Sequence, residues 1–152
     1  MIYIVLLISF VYVILIFLYK IAWNKISESK EVNHNDNVSV VVACRNEETN
    51  IKNLIKDVMN QNFDKDRFQM IIVDDHSEDK TLEILYKESE KWNNLHIVCM
   101  NKDEIGKKNS IRKGVEFANG DVILCTDADC RVGKNWIKTI LGNFTNKKIK
   151  FV

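Results

Sequence analysis

From Val38 onward, short β-branched runs alternate with segments whose apolar residues recur at helical spacing, and few folds accommodate that order. Val38-Ser39-Val40-Val41-Val42-Ala43-Cys44 reads as a strand buried on both faces. Ile51, Leu54, Ile55, Val58 and Met59 follow as one helical stripe, with Asn46 expected as N-cap and Glu47 and Glu48 in the first turn. A second strand is expected over residues 68–73, then a helix capped by Ser77 that turns Leu82, Leu85, Tyr86 and Trp92 inward. Residues 95–100 make a third strand. Gly106 breaks the next loop, and Ile111, Val115 and Ala118 mark a helix ended by Gly120. Residues 121–126 form a fourth strand, residues 136–144 a helix, and residues 149–152 begin another strand. Four βα units imply a mostly parallel sheet with right-handed crossovers, a Rossmann-like α/β domain.

The first residues obey a different pattern. Residues 2–18 are apolar except for Tyr3, Ser9 and Tyr12. About 20 such residues, at 1.5 Å each, cross a hydrocarbon core of about 30 Å. Lys20 can snorkel to the headgroups and Trp23 suits the interface. No basic segment precedes the run and no A-x-A-like site follows it, which favours a retained single-pass anchor over a cleaved signal peptide. Lys20, Lys25 and Lys30 follow the run and no Lys or Arg precedes it, so the positive-inside rule places the rest in the cytoplasm. The expected organisation is a transmembrane helix over 1–23, a polar linker over 24–37 with a solvated His34, and an α/β domain over 38–152.

Lys and Arg total 22 against 21 Asp and Glu, a net charge of +1, which removes the electrostatic case for nucleic-acid binding. Cys44, Cys99, Cys125 and Cys130 form no C-x-x-C pair and read as free thiols of a reducing compartment.

In parallel α/β sheets, ligands sit outside the carboxyl ends of the strands. Polar residues crowd there: Cys44-Arg45-Asn46-Glu47-Glu48, Asp74-Asp75-His76-Ser77 and Asp127-Ala128-Asp129, with Lys107 and Lys108 at the same edge. Uncompensated carboxylates at that density would repel, so a cation is the economical partner. Oxygen-only ligands favour Mg²⁺ or Mn²⁺, with positions left for water and phosphate. A diphosphate bridging metal and lysine would complete the balance. No G-x-G-x-x-G follows the first strand, which argues against a dinucleotide. A bare D-x-D is common, Asp74-Asp75 suits an ordinary turn, and Trp92 and Trp136 belong to helix stripes before they are sugar platforms. The coincidence of three clusters at successive strand ends carries the reading. A D-x-D phosphatase is the competing enzyme class, but it wants its motif after the first strand rather than the fourth.

The segments VSVVVACRNEETNI, IIVDDHSEDKT and GKKNSIRKGVEFANGDVILCTDADC together resemble the donor-binding half of a family 2 glycosyltransferase with the GT-A fold, over residues 38–136. The resemblance implies inverting transfer of a sugar, usually from a UDP-sugar, to a glycan, lipid or polysaccharide acceptor, as in cell-wall or polysaccharide synthesis. It implies that Asp75 accepts a hydrogen bond from uracil while Asp74 supports the loop. Cys44, Arg45, Asn46 and Glu47 match the segment that wraps the nucleoside, and Lys107 the basic residue near the diphosphate. Asp127 and Asp129 match the D-x-D pair, Asp129 for metal and Asp127 for ribose or metal. Two departures stand out: Val42-Ala43-Cys44 where Pro-Ala or Pro-Thr is usual, and Ser110-Ile111-Arg112 where Ala-Leu-Asn is usual. The general base has no counterpart here. The expectation is therefore a donor-binding fragment whose acceptor half lies in further sequence or a separate chain. The alternative is a non-catalytic nucleotide-sugar-binding module or pseudoenzyme.

Overall fold

A computed structural model of the chain describes residues 2–24 and 36–144. The chain divides into two compact units, Met1–Lys30 and Glu31–Val152. The first holds α1 (Ile2–Asn24), 23 residues long with no buried side chain. Its mean hydropathy reaches 2.8, so by length and composition it can cross a membrane. It is apolar on every side, unlike the one-sided stripe of a helix that packs on a soluble core.

The second unit runs β1 (Val38–Cys44), α2 (Ile51–Met59), a 3-10 turn (Lys65–Arg67), β2 (Phe68–Asp74), α3 (Thr81–Ser89), β3 (Leu95–Cys99), α4 (Lys107–Phe117), β4 (Val122–Asp127) and α5 (Trp136–Leu141). The strands lie in the order β3-β2-β1-β4, and every pairing is parallel. This is the doubly covered α/β sheet that the alternation implies. The further strand expected over 149–152 lies outside the described residues, as do His34 and most of the linker.

Both sheet faces are covered, which is why β1 reads as an almost continuous apolar run. Val38, Val40, Val42, Met70, Ile72 and Leu124 form one core with Ile51, Leu54, Ile55 and Val58 of α2, Leu85 of α3, and Ile137 and Leu141 of α5. Val41, Ile71, Val73, Val98 and Met100 form the second. Each such side chain contributes about 1.5–3 kcal/mol on burial.

The helix starts depart from expectation. Asn46 does not cap α2, which begins at Ile51 after Asn50. It sits in the left-handed region at φ 56°, where its amide donates to Ser77 Oγ (2.9 Å) and its Oδ1 accepts from the Glu78 amide (2.8 Å). Ser77 is equally no cap. Helix α3 starts at Thr81, whose amide donates to Asp79 Oδ1 at 2.9 Å. The Glu47 amide donates to Thr81 Oγ1 (2.8 Å), the Glu48 amide to Asp79 Oδ2 (3.1 Å) and the Lys80 amide to Glu48 Oε2 (3.0 Å). Capping-type side chains that could each have started a helix instead satisfy the backbone of the neighbouring loop.

Two helix faces also differ. Tyr86 is 54% exposed rather than turned inward. In α4 the buried residues are Ser110 and Gly114, while Val115 lies 39% exposed. A Cβ on Gly114 would stand 2.5 Å from Val41 Cγ1, so this helix backbone rests directly on the sheet. Gly120 ends no helix, since Ala118 is the C-cap; its amide donates to Ser39 Oγ at 2.9 Å.

Candidate functional site

Parallel register brings three strand ends together: Cys44 pairs with Asp74 and Ala43 with Asp127. A cleft of about 240 Å³ opens at this edge, lined by Ala43, Cys44, Arg45, Glu47, Asp75, Lys107, Asp127, Ala128 and Asp129. A larger concavity of about 520 Å³ runs along edge strand β3 past Tyr86, His96 and Phe117. The smaller cleft is the candidate because charged groups converge in it at the carboxyl ends of the strands.

Asp75 is 6% exposed and both its oxygens are engaged. Oδ2 accepts from the Gly106 amide at 2.9 Å, and Oδ1 lies 3.1 Å from His76 Nδ1. Gly106 holds φ 102°, a conformation that suits glycine, and α4 begins at the next residue. Asp75 thus ties the end of β2 to the loop presenting Lys107. Lys107 Nζ reaches Asp127 Oδ1 at 2.7 Å, and this hydrogen bond holds the ammonium pKa above its ordinary value. Ala128 is buried between the exposed Asp127 and Asp129, so the two carboxylates project together.

The remaining expected residues divide between the cleft and its support. Glu47 lines the cleft, its Oε2 accepting from Asn50 Nδ2 at 3.0 Å, and Arg45 lines it with an exposed side chain. Cys44 lines it too, but burial, followed by the nearby Asp74 charge, pushes its pKa up, so it stays a thiol. Its Sγ lies 3.9 Å from Asp74 Oδ1. Asp74 does not line the cleft; it is buried and its Oδ2 accepts from the Ser77 amide at 3.1 Å. Asn46 and Glu48 are used by the cross-loop hydrogen bonds, and Lys108 also lies outside the lining.

The rim is therefore less bare than the sequence implies. Of six carboxylates, four line the cleft, and three of these, Glu47, Asp75 and Asp127, already have partners. Among the described residues no three His, Cys, Asp or Glu gather closely enough to hold a metal alone. Asp127 and Asp129 offer exposed oxygens to an ion that takes its other ligands from water or phosphate, and that donor set fits Mg²⁺ or Mn²⁺.

One support escapes the sequence reading. Arg131, two residues after Asp129, grips Asp57 of α2 through Nε–Oδ2 (2.5 Å) and Nη2–Oδ1 (3.0 Å). Buried Gln61 donates to the Gly133 carbonyl (2.7 Å) and accepts from the Ile137 amide (3.1 Å). These bonds fix the segment leaving Asp129. The signal in the sequence was Asp57 and Gln61, four apart, where an apolar stripe runs out.

The family model described as Glycosyl transferase family 2 matches residues 39–152. The Bacillus subtilis protein "Probable glycosyltransferase YdaM" is 37% identical over 94 residues, 60% of this chain and 22% of that protein. The poly-beta-1,6-N-acetyl-D-glucosamine synthase of Staphylococcus aureus is 30% identical over 109 residues, 72% of this chain and 26% of that protein. The chain thus spans about a quarter of the length of these curated relatives. Among solved structures, Staphylococcus aureus TarS 1-349 in complex with UDP-GlcNAc aligns with TM-score 0.64 at 30% identity, over 69% of this chain and 30% of that one. The mannosyltransferase PcManGT of Pyrobaculum calidifontis aligns with TM-score 0.74 over 90% of this chain and 41% of that one; at 18% identity it bears on the fold alone. With the GT-A-like parallel sheet, the cleft at its carboxyl edge and a family match over nearly the whole α/β unit, this chain belongs to glycosyl transferase family 2.

Proposed function

We propose that the cleft is the donor site of a sugar transferase, taking a UDP-sugar together with Mg²⁺ or Mn²⁺ and serving inverting transfer to a glycan, lipid or polysaccharide acceptor. The observation that carries this is the meeting of Glu47, Asp75, Lys107, Asp127 and Asp129 in one cleft at three adjacent strand ends. The TarS structure, similar at 30% identity, holds UDP-GlcNAc, which supports a uridine nucleotide as ligand.

Each lining residue has a chemical task in this reading. Arg45 and Glu47 flank the nucleoside, with Cys44 as the small wall between strands. Asp75 offers its remaining lone pairs to the uracil N–H while it holds Gly106. Asp74 and Asn46 act from behind, keeping the two loops in register. Asp127 and Asp129 hold the cation, and Asp127 also meets the ribose. Lys107 meets the diphosphate, whose negative charge grows as the glycosyl bond breaks; an ammonium already seated on the bound donor stabilises that charge as it develops. The bound cation supplies Lewis-acid stabilisation of the same leaving group.

The described residues supply only the donor side. Those after Asp129 hold no carboxylate, so the general base and acceptor wall are assigned to sequence outside them, in a longer protein or a separate chain. The boundaries proposed are an anchor over 1–23, a linker over 24–37 and the donor-binding domain from 38. Helix α1 spans the membrane in this reading, with the α/β unit in the cytoplasm, where nucleotide-sugars are made.

Displacement of a fluorescent UDP analogue from the full chain in detergent tests the donor assignment. UDP and UDP-sugars should displace it, with ADP and GDP weaker by about tenfold or more because the larger purines do not place an N–H where Asp75 meets the uracil ring. Equal displacement by all three nucleotides would contradict it.

A further inference from the structure

Asp127 has two claimants. Its Oδ1 lies 2.7 Å from Lys107 Nζ, and with Asp129 it also forms the oxygen pair that fits a divalent cation. The backbone at both residues is held in place. The Asp75–Gly106 hydrogen bond fixes the start of α4, and pairing with Ala43 fixes the end of β4. An ammonium at hydrogen-bond distance and a dication on the same carboxylate repel each other, so the two compete for Asp127.

We infer that Lys107 is the resident counter-cation of Asp127, which a divalent cation must displace and a diphosphate then captures. This rests on the donor-site reading and goes beyond it by assigning the cleft a preference for the cation–diphosphate complex over the bare cation. Before donor arrives, the lysine neutralises Asp127 and weakens binding of free metal. When the complex arrives, the ammonium leaves Asp127 and finds new acceptors in the diphosphate oxygens. Metal and nucleotide are then coupled through one side chain, and the coupling is reciprocal. Arg45 supplies an internal comparison, because it lines the same cleft and makes no ion pair with Asp127.

The pair is more than half exposed on both sides, so its effect is modest. Free Mn²⁺ is measured by its electron paramagnetic resonance signal over the full chain in detergent, without nucleotide. Lys107→Gln should bind Mn²⁺ about 2- to 5-fold more tightly than wild type. Lys107→Arg, which keeps a cation there, should match wild type, and Arg45→Gln should gain less than half as much as Lys107→Gln. Unchanged or weaker Mn²⁺ binding by Lys107→Gln, or an equal gain by Arg45→Gln, would overturn the inference. UDP is then titrated into the wild-type samples at fixed Mn²⁺. UDP binding alongside an unresponsive Lys107→Gln defeats the counter-cation role alone, whereas absence of UDP binding defeats the donor-site reading whatever the Mn²⁺ arms show.

Discussion

Asp75 Oδ2 accepts the Gly106 amide at 2.9 Å, a hydrogen bond that spans 31 residues and joins the end of β2 to the start of α4. A residue that reads as a base-recognition group therefore also builds the site. Asp75→Ala would leave the Gly106 amide without its partner and release the loop ahead of Lys107. The expected cost is about 1–3 kcal/mol of stability, with a parallel loss of UDP affinity. Chemical denaturation followed by tryptophan fluorescence, beside UDP titration, checks both. Weakened UDP binding at unchanged stability would show that Asp75 serves the ligand only.

Gly114 sets the approach of α4 to the sheet. A Cβ there would stand 2.5 Å from Val41 Cγ1 and 3.1 Å from Val73 Cγ2, and Val41 is fully buried. Gly114→Ala gains helix propensity but overpacks the core, for an expected net loss of about 1–3 kcal/mol in the same denaturation assay. Val41→Ala in the same chain should recover part of it, because the clash is with that side chain.

Acid should loosen the segment after the D-x-D pair. The hydrogen bonds from Arg131 hold the Asp57 carboxyl below the usual carboxylate range. A depressed folded-state value means that the stabilisation is present above the ordinary carboxylate range and fades as pH falls through the folded-state value. Arg131 is 68% exposed, so the contribution at neutral pH should stay below about 1 kcal/mol. Asp57→Asn should lose it at pH 7 and show a shallower fall in stability between about pH 5 and pH 2 than wild type.

Strands and core were the legible parts of the sequence. The β-branched runs at 38–44 and 68–74 are central strands whose both faces are apolar, so period and composition pointed the same way. Helix starts were not legible, because Asn46 and Ser77 have good capping chemistry and the tertiary fold uses it between loops instead. The α4 face misled for a related reason: apolar spacing marked Ile111 and Val115, while close packing selected Ser110 and Gly114, which carry little hydrophobic signal. At the site, charge type and strand-end position identified Glu47, Asp75, Lys107, Asp127 and Asp129 as one group. Which carboxylates were already satisfied depended on partners such as Gly106 and Lys107, some 20 to 31 residues away, which no local pattern records.

The cleft is proposed to bind a uridine diphosphate through a cation held by Asp127 and Asp129. Calorimetric titration of UDP into the full chain in detergent, with Mn²⁺ and then with excess EDTA, tests it most directly. Binding is expected with Mn²⁺, weakened at least about tenfold by EDTA and comparably by Asp129→Asn, since a charge-assisted contact exceeds the roughly 1 kcal/mol of an ordinary hydrogen bond. Absence of UDP binding by the wild-type chain, or binding of equal strength in EDTA and in Asp129→Asn, would contradict it.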